Sequence, residues 1–263
     1  MVDFIYNNTL LVAVLFFAVF TGALVAATAL GMRIGGRPHS DEEPTSPGAA
    51  AVDASVFGLF GLLIAFSFSG AAERFHARRT LILEESRAIS TAWGNLDLLP
   101  EPAREDLRDR FRGYLDKKLA TYSDIRDVES FERDLLALEK LGTEILAAAA
   151  AACRAESGKD FVELVIPAIN EVNSLARARK AAIRTHPPLV IYGLLVALSL
   201  GVALLVGMAM ISSSRKSRIH VIGFSLVVTA TIYVTLDLET PRMGAIRVDS
   251  ADALLLEIRR SMG

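Results

Sequence analysis

Four stretches of the chain carry no charged side chain: residues 9–32, 54–72, 189–211 and 221–236, which are 24, 19, 23 and 16 residues long. Between the second and third, residues 73–186 have the opposite character and hold 39 of the 58 charged side chains within 114 residues. An α-helix needs about 20 apolar residues to cross roughly 30 Å of hydrocarbon, so the first three stretches read as transmembrane helices. The fourth is short by that measure, but Ile219 and His220 extend it to residues 219–236 and the third span needs a return path. The pattern predicts an all-α membrane protein with four transmembrane helices in a 2+2 arrangement. An extramembrane antiparallel helical bundle, residues 73–186, is inserted between spans two and three.

The near-neutral net charge of -2 conceals this segregation. Residues 1–8 contain no Lys or Arg and include Asp3, and the apolar run after them is too long for a signal-peptide core. A retained transmembrane helix is expected there. Residues 33–53 (RIGGRPHSDEEPTSPGAAAVD) have the Gly, Pro, Ser and acid content of a flexible loop, in which Asp41, Glu42 and Glu43 are expected to be solvated. Cys153 is the only cysteine, so no intramolecular disulfide exists, and no Cys/His spacing suggests a metal; no cofactor is expected. Richness in Ala and Arg with few Lys points to a bacterial plasma membrane.

The insert reads as helix throughout. Ile82, Ile89 and Leu96 recur every seven residues on a helix running out of span two, which LLPEP at residues 98–102 ends. A second helix, near residues 101–122, turns Leu107, Phe111, Leu115 and Leu119 inward. A third, near residues 128–155, presents Phe131, Leu135, Leu138, Leu141 and Ile145, with Asp127 as its N-cap. After a turn at residues 157–159, residues 160–184 make a fourth helix, which Pro167 is expected to kink. A short amphipathic helix near residues 251–262 closes the chain, and its Leu254, Leu255 and Ile258 need the membrane interface or the bundle as a partner.

The insert's charges, 19 basic and 20 acidic, are too evenly mixed to form the basic stripe of a nucleic-acid surface. Arg74, Arg78 and Arg79 after span two, and Arg177, Arg179, Lys180 and Arg184 before span three, cluster towards the membrane-proximal end. Two readings are open for them, contact with lipid headgroups or a ring around the mouth of an anion pathway. Basic residues near the spans favour a cytoplasmic insert, but leaving the long insert out of the count reverses the vote.

Within the spans, small residues recur at helical spacing: Ala18, Gly22 and Ala26; Gly58, Gly61, Ala65 and Ser69; Gly193, Ala197 and Gly201. Such rows let helix backbones approach closely and predict a tight bundle. A bulky row on span two, Phe57, Phe60, Ile64 and Phe68, is either core or lipid-facing in a monomer, or the lining of a hydrophobic gate in an oligomer. No Asp, Glu, Lys or Arg lies inside a span, which counts against a proton-coupled transporter or a pump. His39, His76, His186 and His220 are scattered and no Ser/His/Asp, metal or phosphate-loop constellation occurs, so the chain is not expected to be an enzyme.

The span layout, the segment GLLIAFSFSGAAERFHARRTLILEESRAI (residues 61–89) and the closing LDLETPRMGAIRVDSADALLLEIRRSM (residues 236–262) resemble the bacterial bestrophin-like membrane family. The best local pattern is Asp237, Pro241 and Gly244, followed by a polar, strand-like stretch at residues 245–248. Bestrophins are pentameric anion channels with cytoplasmic termini, a helical cytoplasmic region between spans two and three, and a pore lined by span two with a hydrophobic neck. The resemblance implies a homo-oligomer in a lipid bilayer that passes chloride or other small anions, with the insert and both termini cytoplasmic. It makes Phe60, Ile64 and Phe68 neck candidates, although Leu62 and Phe66 suit the spacing almost as well. No counterpart of the acidic calcium clasp is present, so calcium gating is not implied. The alternative, from a different class, is a membrane-anchored helical scaffold or signalling module with no transport activity.

Overall fold

The computed structural model describes residues 9–35, 47–123, 127–210, 215–239 and 249–263. Among these there are eight α-helices and no strand: α1 (Thr9–Gly35), α2 (Pro47–Asn95), α3 (Ala103–Ser123), α4 (Val128–Arg154), α5 (Val162–Arg184), α6 (Leu189–Ala209), α7 (Arg215–Glu239) and α8 (Asp249–Ser261). Four of them are long and apolar enough to cross a membrane. The described residues form two compact units. One holds α1, α6, α7 and α2 as far as Glu73; the other holds the remainder of α2 from Arg74, helices α3 to α5, and α8. The expected loop from 33 to 53 is shorter than its composition suggests, because α2 begins at Pro47. Proline's fixed φ suits a first helical position, and Ala49 to Ala51 continue the helix at little entropic cost. Asp41, Glu42 and Glu43 lie outside the described residues.

In the apolar unit, α1 and α6 meet backbone to backbone. A Cβ on Gly207 would lie 2.0 Å from the Thr28 carbonyl oxygen, and one on Gly31 would lie 2.1 Å from that of Leu204. In lipid, where apolar burial between helices is no gain over burial in acyl chains, such close approach is a main source of association. The expected small-residue rows do not make this contact: nothing stands within 4 Å of a Cβ on Gly22, Gly58, Gly61, Gly193 or Gly201. Spacing identifies a small face but not the face that meets a neighbour. Around the contact, Phe20, Leu24, Phe60, Leu195, Val202 and Ile232 make an apolar core. The Thr21 hydroxyl donates to that of Thr229 at 3.1 Å, and Phe17 packs on Tyr233 with centroids 5.2 Å apart.

The second unit buries the stripes that the heptad-like spacing marks: Ile82, Ile89 and Leu96 of α2 and its end, Leu107, Phe111 and Leu115 of α3, Leu135, Leu138 and Ile145 of α4, and Val165, Ile169 and Val172 of α5. Asp127 caps α4, accepting from the Ser130 backbone N–H at 2.8 Å, and these bonds hold its carboxyl below the usual range. Helix α5 runs on through Pro167. Helix α8 takes the bundle as its partner: Leu255 and Met262 are buried, and Arg259 forks onto Asp116 with N···O distances of 2.7 and 3.0 Å.

Candidate functional site

In the apolar unit, α2 has two distinct faces. Val56, Phe60, Leu63 and Ile64 pack into the core, with Phe60 only 6% exposed. On the other side Leu59, Leu62 and Phe66 are 57%, 52% and 68% exposed, and Gly58, Gly61, Ala65 and Ser69 lie along the same outward surface. The bulky row expected to act as one surface is therefore split: Phe60 and Ile64 face the chain's own core, while Phe57 and Phe68 at its edge are exposed. Phe68, Ile64 and Ala65 border an open groove of about 450 Å³, closed on its other side by Ala230, Thr231 and Val234 of α7. Asp237, near the end of α7, is buried; Pro241 and Gly244 lie outside the described residues.

The basic cluster is largely engaged by the bundle. Arg78 is buried and donates from Nε to the Ala182 carbonyl at 3.2 Å and from Nη2 to that of Thr185 at 2.9 Å, satisfying carbonyls at the end of α5. Lys180 reaches Glu139 at 2.9 Å, and Arg184 pairs with Glu132. The Lys180 bond holds the Glu139 carboxyl below its usual range. Arg79 and Arg177 are exposed and Arg74 is half-buried. Among the described residues no three His, Cys, Asp or Glu side chains are placed to hold a metal ion.

Arg179 departs most from the expectation of a lipid- or anion-facing residue. It is buried and donates to Glu85 Oε2 at 2.9 Å, while Lys118 Nζ lies 2.5 Å from Glu85 Oε1. The guanidinium sits 3.9 Å above the Tyr122 ring, and Lys118 donates to the Tyr114 hydroxyl at 3.1 Å. Glu85, Lys118 and Arg179 thus form an ion triad joining α2, α3 and α5. Burial opposes ionisation of Glu85, but the two cations outweigh it and hold its carboxyl below the usual range. Burial likewise opposes the charge on Lys118, and Glu85 outweighs it, raising its pKa.

A family model described as the bestrophin-like domain matches residues 18–253, nearly the whole chain. The chain belongs to the bestrophin-like family. No curated protein and no solved structure matches it. In this bestrophin-like membrane protein, the matched residues take in most of the four long apolar helices and all of the helices between the second and third. Helical spacing alone does not single out Glu85 and Lys118, although each carries a legible signal. Glu85 lies three residues after Ile82 and four before Ile89, and Lys118 lies between Tyr114 and Tyr122. A charge on an apolar stripe either breaks the helix pattern or has a buried counter-charge.

Proposed function

We propose that copies of this bestrophin-like chain assemble around their α2 helices and that the assembly passes small anions such as chloride through the membrane by electrodiffusion. The observation that carries this reading is the two-faced α2. A residue buried in each chain's own core, as Phe60 is, has no access to an axis shared between copies. Leu62 and Phe66, one turn apart and exposed, can form that constriction, with Phe57 and Phe68 flanking it. The outward row of Gly58, Gly61, Ala65 and Ser69 supports the same reading, because small residues allow neighbouring helices to approach closely. Residues 9–32, 54–72, 189–211 and 221–236 carry no Asp, Glu, Lys or Arg, which favours passive flow over pumping. Arg74 and Arg79, which follow the span, raise the local anion concentration at its end. The charged unit and both termini are cytoplasmic in this reading, and the membrane is the bacterial plasma membrane.

Flux from reconstituted liposomes tests this. Chloride efflux is expected from the wild type, and the double change Leu62→Ala and Phe66→Ala is expected to raise it severalfold by removing a dewetting constriction. Phe60→Ala is expected to lower stability while leaving anion selectivity unchanged. No efflux from either the wild type or the double variant would exclude conduction and leave a membrane-anchored scaffold as the better reading.

A further inference from the structure

Glu73 is the first charged side chain after the uncharged residues 54–72, and α2 continues through it without a break. It follows Phe66 by seven positions and Leu62 by eleven. At about 3.6 residues per turn these intervals are close to two and three whole turns, so Leu62, Phe66 and Glu73 lie on one line along α2. Ser69 falls within about 40° of that line. All four side chains are exposed in the single chain. The neighbouring basic residues leave the helix elsewhere. Arg74 projects about 100° to one side of the line and Arg79 about 120° to the other. Arg78 is buried, donating to the Ala182 and Thr185 carbonyls. Among the described residues no cation pairs with Glu73, whereas Glu85, Glu132 and Glu139 each have one.

What this charge does depends on assembly. In one isolated chain it is a solvated carboxylate at the end of a span. In a ring of copies around α2, symmetry repeats it once per copy, and the line that brings Leu62 and Phe66 to the axis brings Glu73 there too. At about 1.5 Å per residue it stands roughly 10 Å beyond Phe66, with Ser69 between them. A ring of carboxylates around an ion path attracts cations and repels anions. The hydrocarbon beside it screens charge less than bulk water does, and the repulsions of the copies add. Arg74 and Arg79, set off the line, gather anions around the rim, whereas Glu73 meets them on the axis.

We infer that Glu73 is a charge brake on the anion path: a ring of its carboxylates limits how much chloride passes and how far chloride is preferred over sodium. The inference rests on the assembly and conduction proposed above, and adds to them the residue that discriminates by sign of charge. An apolar constriction at Leu62 and Phe66 acts through water and is indifferent to that sign. The two controls therefore stand in series along one helix face.

The test uses the full-length protein in lipid, with chloride efflux and the reversal potential in a sodium chloride gradient as readouts. Each variant is made in the wild type and in the Leu62→Ala, Phe66→Ala background, where the constriction no longer masks the brake. Glu73→Gln is expected to raise chloride efflux roughly fivefold, the removal of a repulsion somewhat above thermal energy, and to move the reversal potential towards that of chloride. Glu73→Asp, which keeps the charge, is expected to stay near its parent, as is Glu171→Gln, which removes an exposed carboxylate on α5. Glu73→Cys gives the same test after assembly. Cys153 is buried, so a thiol reagent reacts at position 73; a cationic reagent should raise efflux and an anionic one should lower it. Efflux that Glu73→Gln leaves unchanged or lowers, in a parent that conducts, would overturn the brake and leave conduction standing. Equal gains in Glu73→Gln and Glu171→Gln would also overturn it, assigning the effect to surface charge in general. Efflux absent from every variant would overturn conduction itself and the brake with it. Should Glu73→Gln not assemble, the two reagents on Glu73→Cys decide, and equal responses to them would overturn the brake.

Discussion

Replacing Glu85 by Ala is expected to destabilise the helical unit by about 3–5 kcal/mol, the cost of breaking a buried ion pair by removing one partner. On a chain of this size that corresponds to a fall in Tm on the order of 10 °C. The size follows from what is left behind. The Lys118 and Arg179 side chains, 2% and 4% exposed, would face one another across the site without the carboxylate they share. Replacing all three residues by apolar side chains of similar volume is expected to recover most of the loss, because the desolvation of all three charges disappears with them. The pH profile separates this from simple cavity formation. Glu85 titrates below its ordinary 4.5 when folded, so its contribution is full above that value and fades as pH falls through the lowered pKa. Lys118 titrates above its ordinary 10.5, so its contribution is full below that value and fades as pH rises further. The triad's part of the wild-type stability should therefore be flat between about those two limits. In Glu85→Ala the buried ammonium loses its counter-charge and burial depresses its pKa, so stability should instead climb with alkaline pH. A flat profile in the variant would show that the triad carries little electrostatic weight.

Gly207→Val is expected to have the second large effect, this time in the apolar unit. The new Cβ would meet the Thr28 carbonyl oxygen at 2.0 Å and the Gly31 Cα at 3.0 Å. Both obstacles are backbone, so no rotamer change relieves them, and α1 and α6 must separate along their whole shared surface. The cost should exceed the 1–3 kcal/mol typical of overpacking, at roughly 4 kcal/mol or more. Fluorescence-detected size exclusion after heating should show loss of the folded particle at a much lower temperature. Gly193→Ala and Gly201→Ala, where nothing stands within 4 Å of the new atom, are expected to stay within about 0.5 kcal/mol of the parent. Equal tolerance at all three positions would mean that α1 and α6 do not meet at Gly207.

The contrast between those glycines shows how far local spacing reaches. Periodicity is a property of one helix, so it identifies Ile82, Ile89 and Leu96 as a buried face, and Asp127 as a cap, without knowledge of any other element. A contact belongs to a pair. Gly31 and Gly207 are 176 positions apart, and nothing local distinguishes them from Gly22 or Gly201. The same holds for α2: spacing places Phe57, Phe60, Ile64 and Phe68 on one row, but α1, α6 and α7 determine which part of that row is covered. Arg179 was readable as one of a basic cluster, yet its inward turn depends on Glu85, 94 residues earlier on a different helix. Charged residues interrupting an apolar stripe are the one local trace of that arrangement.

Assembly around α2 is the claim on which the functional reading rests, and the mass and symmetry of the intact particle in lipid nanodiscs test it most directly. A closed ring of 28.4 kDa chains is expected, fivefold if it follows the bestrophins, with Leu62 and Phe66 facing the axis and Phe60 inside each chain. A particle of one chain, or a ring whose α2 helices face lipid, would contradict it.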